Sequence, residues 1–339
     1  EYILPENALS FNSLNSISNK HVNQWRNNGY ILIDNLIPND LINQVIHDVS
    51  ELYKNTSEYR TDFGSHGKSE FPSKIESINE LTLHPRILKA VSQLLGTNDI
   101  LLTQGNVWGK KGILQKQNKP RENHDQRMHM DFPNHFWVHP TKWDSPDAVE
   151  IIIYLSDSNI SGGNTAVVPR INNTDELYQW PYKNMPGFGK LQWINDRKLA
   201  ESFIQENDQN MYLFRQKLYK REKFVSFKPG TVLFYRFDLW HRGTQMKKDQ
   251  IRYVENIVYK KRSANYINYW NRGFTSFMYK ESQYLERLIA KLNVLQRNVV
   301  GFPKPGDIYW NEYTINAVKE RYQCFGIDMT PYINALKKT

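Results

Sequence analysis

The pattern of apolar positions predicts helices in the first third of the chain. After Asn39 and Asp40, apolar residues recur from Leu41 to Leu52 with the period of a one-sided helix, which those two polar residues would cap. A second pattern of this kind begins at His84-Pro85 and stops at Gly96. Both helices are expected to support the fold by packing.

From about Ile100 to Lys260 the apolar runs become short, and turn residues such as Pro229 and Gly230 separate them. The runs predict strands at Ile100–Trp108, Met128–Phe132, Val149–Leu155, Thr165–Val168, Phe224–Phe227, Thr231–Tyr235, Leu239–Thr244 and Ile251–Tyr259. About eight short strands at this spacing favour a mainly β fold, a double-sheet sandwich of the jelly-roll type.

The other segments are predicted to surround this core. An insertion is mostly helical from Asn195 to about Tyr219, and the C-terminal tail contains a helix at Tyr284–Leu295 and another that Thr330 and Pro331 would start. We expect one domain made of N-terminal helical support (1–98), a jelly-roll core (99–262) with the insertion (171–223), and a C-terminal helical extension (263–339).

Composition narrows the class of protein. With 339 residues, 40% of them hydrophobic and 13% aromatic, the chain can bury a large core, and we expect it to be soluble and globular. Its apolar runs are far shorter than the roughly 20 residues of a membrane-spanning helix. A single cysteine, Cys324, can form no internal disulfide, which favours a reducing compartment such as the cytoplasm. The chain begins at Glu1 rather than a methionine, so its sequence leaves N-terminal targeting open.

The formal net charge of +9 favours anionic partners, such as carboxylates or phosphates. The basic residues are scattered along the chain and no recognised binding motif accompanies them, which disfavours nucleic acid as the partner. A small molecule, anionic groups included, is therefore the expected partner. Nothing in the sequence indicates an oligomeric state.

Histidine and acidic residues are the main candidate ligands for a transition metal, since one cysteine cannot form a thiolate cluster. His129 and Asp131 are two residues apart, so on a strand they point to the same face. If the last two predicted strands are neighbours, His241 and Arg252 face the same cavity. Because an inward-pointing arginine needs an anionic partner, and its planar fork suits a carboxylate, these four residues predict a metal and a bound acid together.

Two alternatives concern nearby histidines. His135 and His139 have a spacing that could suggest a zinc pair, although Pro133 and Pro140 disfavour a regular helix there. His124 could take the place of His129 if the register of the segment were shifted.

Several motifs occur in a fixed order along residues 20–262. They are Gly29-Tyr30-Ile31-Leu32-Ile33, His84-Pro85 before Leu94-Leu95-Gly96, His129-Met130-Asp131, Tyr154-Leu155-Ser156-Asp157, Gly162-Gly163-Asn164-Thr165-Ala166-Val167-Val168-Pro169, Pro229-Gly230-Thr231, and Trp240-His241-Arg242-Gly243-Thr244 with Arg252. In this order the chain resembles the phytanoyl-CoA dioxygenase family of Fe(II)/2-oxoglutarate-dependent oxygenases.

The resemblance implies a double-stranded β-helix that binds Fe(II), the co-substrate 2-oxoglutarate and O2. It implies that His129, Asp131 and His241 are the iron ligands, and that Arg252 holds the distal carboxylate of 2-oxoglutarate. Gly243 stands where the family often has a serine, so a hydroxyl contact to the co-substrate is expected from Thr165 or Thr244. Two further residues are candidates to line this pocket, Tyr154 and Gln104.

The activity implied is hydroxylation of a C–H bond in a small-molecule or lipid-like substrate, with release of succinate and CO2. Related halogenases have a small residue in place of the carboxylate, so the presence of Asp131 favours oxygen transfer. The insertion 171–223, the loop 109–127 and the N-terminal helices are expected to form the pocket lid, and aromatic residues are candidates for its mouth: Phe132, Phe136, Trp137 and Trp143. Two alternatives are an oxygenase that modifies nucleic acid or protein, and a binding protein that has lost catalysis.

Overall fold

The computed structural model describes residues 1–8, 16–54, 69–112, 125–132, 138, 146–172, 174–179, 194–264, 284–299 and 302–338. Its strands are β1 (Tyr2–Ile3), β2 (Glu6–Asn7), β3 (Tyr30–Asp34), β4 (Ser69–Glu70), β5 (Ile100–Lys111), β6 (Ala148–Tyr154), β7 (Thr165–Val167), β8 (Lys223–Val225), β9 (Val232–Tyr235), β10 (His241–Gly243) and β11 (Ile251–Lys261). Its α-helices are α1 (Asn19–Asn28), α2 (Asn39–Tyr53), α3 (Glu76–Thr82), α4 (Pro85–Leu95), α5 (Ser158–Ser161), α6 (Arg197–Asn207), α7 (Gln209–Arg221), α8 (Tyr284–Lys291), α9 (Val294–Val299), α10 (Glu312–Tyr322) and α11 (Thr330–Leu336).

The strands form two sheets. The larger has the order β2-β3-β9-β6-β11-β5-β4, and the smaller has the order β1-β8-β7-β10. Within the larger sheet, β3, β9, β6, β11 and β5 pair antiparallel throughout. This two-sheet arrangement confirms the predicted jelly-roll type of fold.

Alternation along the strands separates the two faces of the larger sheet. Val149, Ile151 and Ile153 of β6 belong to a buried cluster that also contains apolar residues of α1 to α4. Tyr154 belongs to a second cluster, which includes Met128 and lies on the other face. Helices α1 to α4 therefore cover the outer face, and the prediction that the N-terminal helices help to form the pocket lid is wrong.

The first third of the chain also contributes strands. The prediction treated this region as helical support, but β3 pairs antiparallel with β9 inside the larger sheet. All five residues of β3, Tyr30–Asp34, are buried. Gly29 makes this entry possible: it ends α1 with a φ of 91°, and a Cβ there would lie 2.7 Å from the Leu239 side chain.

Three helix ends differ from the predictions. Helix α4 begins and ends where the sequence indicates, but α2 begins at Asn39 itself, with Pro38 as the capping residue. The predicted helix Tyr284–Leu295 is interrupted, because the Asn293 side chain accepts a hydrogen bond from the Gln296 N–H and starts α9. Helix α11 includes Thr330, so Met329 is its capping residue.

Candidate metal centre

The segment that carries His129 lies beside β10. The His129 N–H donates to the His241 carbonyl, and the His241 N–H donates to the His129 carbonyl, both at 2.9 Å. Two residues later the N–H groups of Asp131 and Phe132 both donate to the Phe237 carbonyl at 3.2 Å. The segment forms only one β-bridge, between His129 and His241 of β10, so the predicted strand Met128–Phe132 is wrong. The bridge nevertheless places the segment beside the smaller sheet.

The ligand atoms of His129, Asp131 and His241 all lie within 4.8 Å of one another. Nε2 of His129 is 3.4 Å from Oδ1 of Asp131, and Nε2 of His241 is 3.0 Å from Oδ2 of the same carboxylate. Both imidazoles are buried, and the carboxylate is 14% exposed. Within the described residues, this is the group that could hold a metal ion.

Backbone carbonyls orient both imidazoles. Nδ1 of His129 lies 3.2 Å from the Arg127 carbonyl, and Nδ1 of His241 lies 3.0 Å from the Leu239 carbonyl. Since a carbonyl can only accept, each Nδ1 carries a proton, and each Nε2 points toward Asp131 as the ring atom that can bind a metal. Histidine ligands of metals are oriented in the same way.

The charges in the cluster suit a divalent ion. Burial, together with the charge of His241, lowers the pKa of His129 to about 4, so this imidazole is neutral at pH 7. Burial opposes charge on Asp131, but His241 and the hydrogen bonds of both imidazoles outweigh burial and hold its pKa well below the ordinary value. Two imidazoles and one carboxylate are the donor set of non-haem Fe(II) oxygenases.

Two residues outside the predicted site, Tyr235 and Glu150, lie beside Asp131. The Tyr235 hydroxyl donates to Oδ2 of Asp131 at 3.1 Å, and its ring meets His241 edge-on at 5.0 Å between centroids. Glu150 pairs with Tyr235 across β6 and β9. Burial and the adjacent Asp131 raise the pKa of Glu150 well above its ordinary value, which favours the neutral form of this acid. The sequence did contain a signal for Glu150, because a carboxylate inside the apolar run of β6 is unusual.

Arg252 reaches the interior from the opposite sheet. The shared cavity of Arg252 and His241 was expected on the condition that their strands are neighbours, but β10 belongs to the smaller sheet and β11 to the larger. Arg252 is 9% exposed, and its Nη1 donates to the Gly163 carbonyl. Its Nε has no hydrogen-bond partner among the described residues. Burial lowers the pKa of this guanidinium, so an anion beside it would relieve an unfavourable charge.

The loop around Gly163 connects Arg252 to the three-residue cluster. Gly163 has a φ of 65°, and a Cβ there would collide with the sulfur of Met246, so only glycine fits. Thr165, two residues later, pairs with Gly243, which itself lies two residues after His241. Arg252 and the cluster therefore lie along one strip of the interior.

The other predicted pocket residues are placed as follows. The Tyr154 hydroxyl donates to Oγ1 of Thr165 at 2.8 Å, and burial raises the pKa of Tyr154 to about 12. The Thr244 hydroxyl donates to the Asn164 carbonyl at 2.8 Å, so its proton stabilises the loop. Gln104 pairs with Val258 on the larger sheet.

Helices of the predicted insertion contact the segment that carries His129. Arg215 of α7 is fully buried, and its Nη2 donates to the Met128 carbonyl at 3.0 Å. The Met128 N–H donates to the Tyr219 hydroxyl at 3.0 Å, and that hydroxyl donates to Glu201 of α6 at 2.7 Å. Helix α7 thus binds both backbone groups of the residue that precedes His129, and Glu201 of α6 holds the two α7 side chains that do so.

Several other candidates lie outside the described residues. These are His124, His135 and His139, the aromatic residues Phe136, Trp137 and Trp143, and residues 113–124 of the loop 109–127. Phe132, the remaining aromatic candidate, is fully buried in the core cluster of the sandwich interior.

Comparison with known proteins places this geometry in a family. The sequence profile described as Phytanoyl-CoA dioxygenase (PhyH) matches residues 25–254, more than half of the chain. The chain belongs to the phytanoyl-CoA dioxygenase family. This membership agrees with the resemblance found in the sequence motifs. No curated protein matches the sequence.

Solved structures show the same fold as this family member. The structure titled as the non-heme alpha ketoglutarate dependent carbocyclase SnoK from nogalamycin biosynthesis is 14% identical, with a TM-score of 0.50 over 72% of this chain and 84% of the other. The epimerase SnoN in complex with Fe3+, alpha ketoglutarate and nogalamycin RO is 16% identical, with a TM-score of 0.51 over 76% of this chain and 88% of the other. At these identities the similarity concerns the fold. In the described part of the chain, no helix has the length and apolar character to cross a membrane.

Proposed function

We propose that this chain is an Fe(II)- and 2-oxoglutarate-dependent dioxygenase that hydroxylates a C–H bond of a small molecule. The overall reaction converts the substrate, 2-oxoglutarate and O2 into the hydroxylated product, succinate and CO2. The observation that carries the proposal is the cluster of His129, Asp131 and His241 in the same interior as Arg252, a buried cation whose Nε is unused.

Each residue has a distinct role in this proposal. The two imidazoles and Asp131 hold Fe(II), and the guanidinium of Arg252 pairs with the distal carboxylate of 2-oxoglutarate. Thr165 and Tyr154, which are hydrogen-bonded to each other, line the co-substrate site in this proposal. When bound, iron with 2-oxoglutarate and O2 supplies the oxidising power that breaks a C–H bond.

The residues around the cluster keep its donor atoms in place. The Arg127 and Leu239 carbonyls hold the protons on Nδ1 of the imidazoles, which leaves both Nε2 atoms for the metal. Tyr235 donates to Oδ2 of Asp131 and fixes the carboxylate. The burial of both imidazoles excludes bulk water from the reacting groups.

The proposed type of reaction, oxygen transfer, rests on the presence of Asp131 in the cluster. The two similar structures are titled a carbocyclase and an epimerase, so this fold serves several outcomes. Asp131 occupies a position that a halide would need, which favours oxygen transfer. A binding protein without catalysis is disfavoured, because it would not need to retain three buried ligand residues.

The proposal predicts turnover of 2-oxoglutarate that depends on metal. Purified protein with Fe(II), 2-oxoglutarate and O2 should form succinate and CO2 in equal amounts, slowly without substrate and faster with it. Removal of the metal by a chelator should stop both, and added Fe(II) should restore them. Release of succinate that continues in metal-free protein would contradict the proposal.

The contacts of α7 predict a loss of metal affinity in Tyr219→Phe. This change removes the acceptor of the Met128 N–H and leaves Arg215 as the remaining contact of α7 with the Met128 backbone. We expect Fe(II) to bind about 10- to 100-fold more weakly, as for other residues that orient metal ligands. The measurement is an anaerobic Fe(II) titration. Tyr212→Phe on the same helix is the matched control, and equal affinities in the two variants would show that Tyr219 does not position the ligand.

A further inference from the structure

A pair of asparagines lies on the interior face of the larger sheet, outside the set of residues assigned above. Asn256 of β11 and Asn106 of β5 are directly opposite each other in the strand register. Val254 and Val258, on either side of Asn256, belong to the interior cluster, whereas Ile257 belongs to the outer one. Alternation therefore points both asparagines into the interior.

The pair lies close to the metal cluster. Ile152 pairs with Asn256, which pairs with Asn106, so the three residues form one row across the sheet. Glu150 is two residues from Ile152 on β6, and it lies beside Asp131. The asparagine row is thus about 7 Å along the strands from Glu150, and Asn256 and Asn106 lie one and two strands across the sheet from it, at about 5 Å per strand.

Both carboxamide oxygens are buried without a partner. Asn106 is 4% exposed and Asn256 is partly buried, yet neither Oδ1 has a hydrogen-bond partner among the described residues. Buried polar atoms are almost always hydrogen-bonded in native proteins, so two unsatisfied acceptors facing each other require an explanation. A bound molecule that donates hydrogen bonds would supply the missing partners.

The co-substrate cannot supply them. At neutral pH, 2-oxoglutarate carries only acceptor oxygens, whereas the two Oδ1 atoms need O–H or N–H donors. An alkyl chain would also leave them unsatisfied, at a cost of about 10- to 100-fold in affinity for each oxygen. The carboxamide nitrogens add donors beside them, so a hydroxyl group, which both donates and accepts, is complementary to the pair.

We propose that Asn106 and Asn256 form a substrate-recognition pair for a molecule with hydroxyl or N–H groups, such as a polyol or an amino sugar. This inference rests on the proposed function, and it separates a polar substrate from a lipid-like one. The pair holds the polar group of the substrate, and the C–H bond to be attacked extends from it toward His129, Asp131 and His241.

The first test needs no substrate. Asn106→Leu and Asn256→Leu, singly and together, replace the unsatisfied amides with apolar side chains of similar size. We expect the thermal midpoint of the metal-free protein to rise, and the 2-oxoglutarate concentration required for the basal turnover to stay within about twofold. Asn43→Leu, at an exposed position of α2, is the matched control. A lower midpoint, or a higher 2-oxoglutarate requirement, would overturn the inference.

The second test probes the substrate class directly. Glucose, glucosamine, myo-inositol, decanol and decanoate are added anaerobically to protein saturated with Fe(II) and 2-oxoglutarate, and the visible absorption of the iron chelate is recorded. We expect hydroxyl- or amine-bearing compounds to shift the band, and the double Leu variant to lose that response at least about tenfold in affinity. If only the alkyl compounds shift the band, or no polar compound does, the substrate class is wrong. A protein without any chelate band would contradict the proposed function itself.

Discussion

Asp131→Ala should abolish succinate formation while leaving the protein folded. Asp131 is the one anionic ligand of the cluster, and its two oxygens lie 3.4 Å and 3.0 Å from the Nε2 atoms of His129 and His241. A bound metal stabilises the transition state by several kcal/mol, so losing the metal corresponds to a decrease of about 1000-fold or more in rate. The measurement is succinate formed per protein at saturating Fe(II) and 2-oxoglutarate, with circular dichroism as the check on folding.

The neighbourhood of Asp131 makes one control necessary. Glu150 lies beside it as a buried acid and could replace the lost carboxylate at the metal. The double variant Asp131→Ala with Glu150→Gln removes this rescue, and Asp249→Ala, at an exposed turn, controls for the loss of a carboxylate elsewhere. Undiminished turnover in the double variant would remove Asp131 from the ligand set. His129→Ala should give the same loss.

Arg252→Leu should raise the 2-oxoglutarate concentration required for half-maximal turnover by about 100-fold, the usual cost of losing one partner of a buried charge pair. The Fe(II) requirement should change little, because Arg252 contacts Gly163 rather than the metal ligands. Arg252→Lys should be intermediate, since an ammonium group lacks the planar fork. The measurement is succinate formation at varied 2-oxoglutarate and fixed Fe(II).

A matched substitution separates this effect from a general loss of charge. Arg262, just after β11, is largely exposed and pairs with Asp99. Arg262→Leu should leave the 2-oxoglutarate requirement unchanged. An equal response of Arg252→Leu and Arg262→Leu would show that a different residue holds the co-substrate carboxylate.

Seven of the eight predicted strands overlap an observed strand, because each of these seven is a short apolar run with a clear boundary. The predicted strand Ile251–Tyr259, for example, lies within the observed strand Ile251–Lys261. Strand β3 was missed as a strand, although its residues were part of a recognised motif, because the helical pattern on both sides of it dominated that region. Which sheet a strand joins depends on contacts far along the chain, so the sequence did not reveal that β10 and β11 belong to different sheets.

The site could be predicted where its residues lie close together in the sequence or belong to the ordered motifs. His129 and Asp131 are two residues apart, so their proximity followed from strand geometry even though the segment has only one bridge. Arg215 lies 87 residues from Met128, and no local pattern announces their hydrogen bond. Tyr235 and Asp131 are likewise far apart in sequence, since their contact depends on how the two sheets face each other.

The substrate-recognition pair of asparagines could not be predicted from the sequence either. Asn106 and Asn256 lie within predicted strands, where a single amide is unremarkable in the sequence. Only the register of β5 against β11 brings them together, and only the packing around them leaves both Oδ1 atoms without partners among the described residues. Their significance is therefore a property of the fold.

The central claim is that one interior holds both the iron and 2-oxoglutarate. Anaerobic absorption titration tests this most directly, because a 2-oxoglutarate chelate on Fe(II) has a weak visible charge-transfer band that neither component has alone. The account predicts a saturable band in the wild-type protein and its loss in the double variant of Asp131 and Glu150. In Arg252→Leu the band should reach half-saturation at a higher concentration of 2-oxoglutarate. A folded wild-type protein that gives no band at saturating Fe(II) and 2-oxoglutarate would contradict the account.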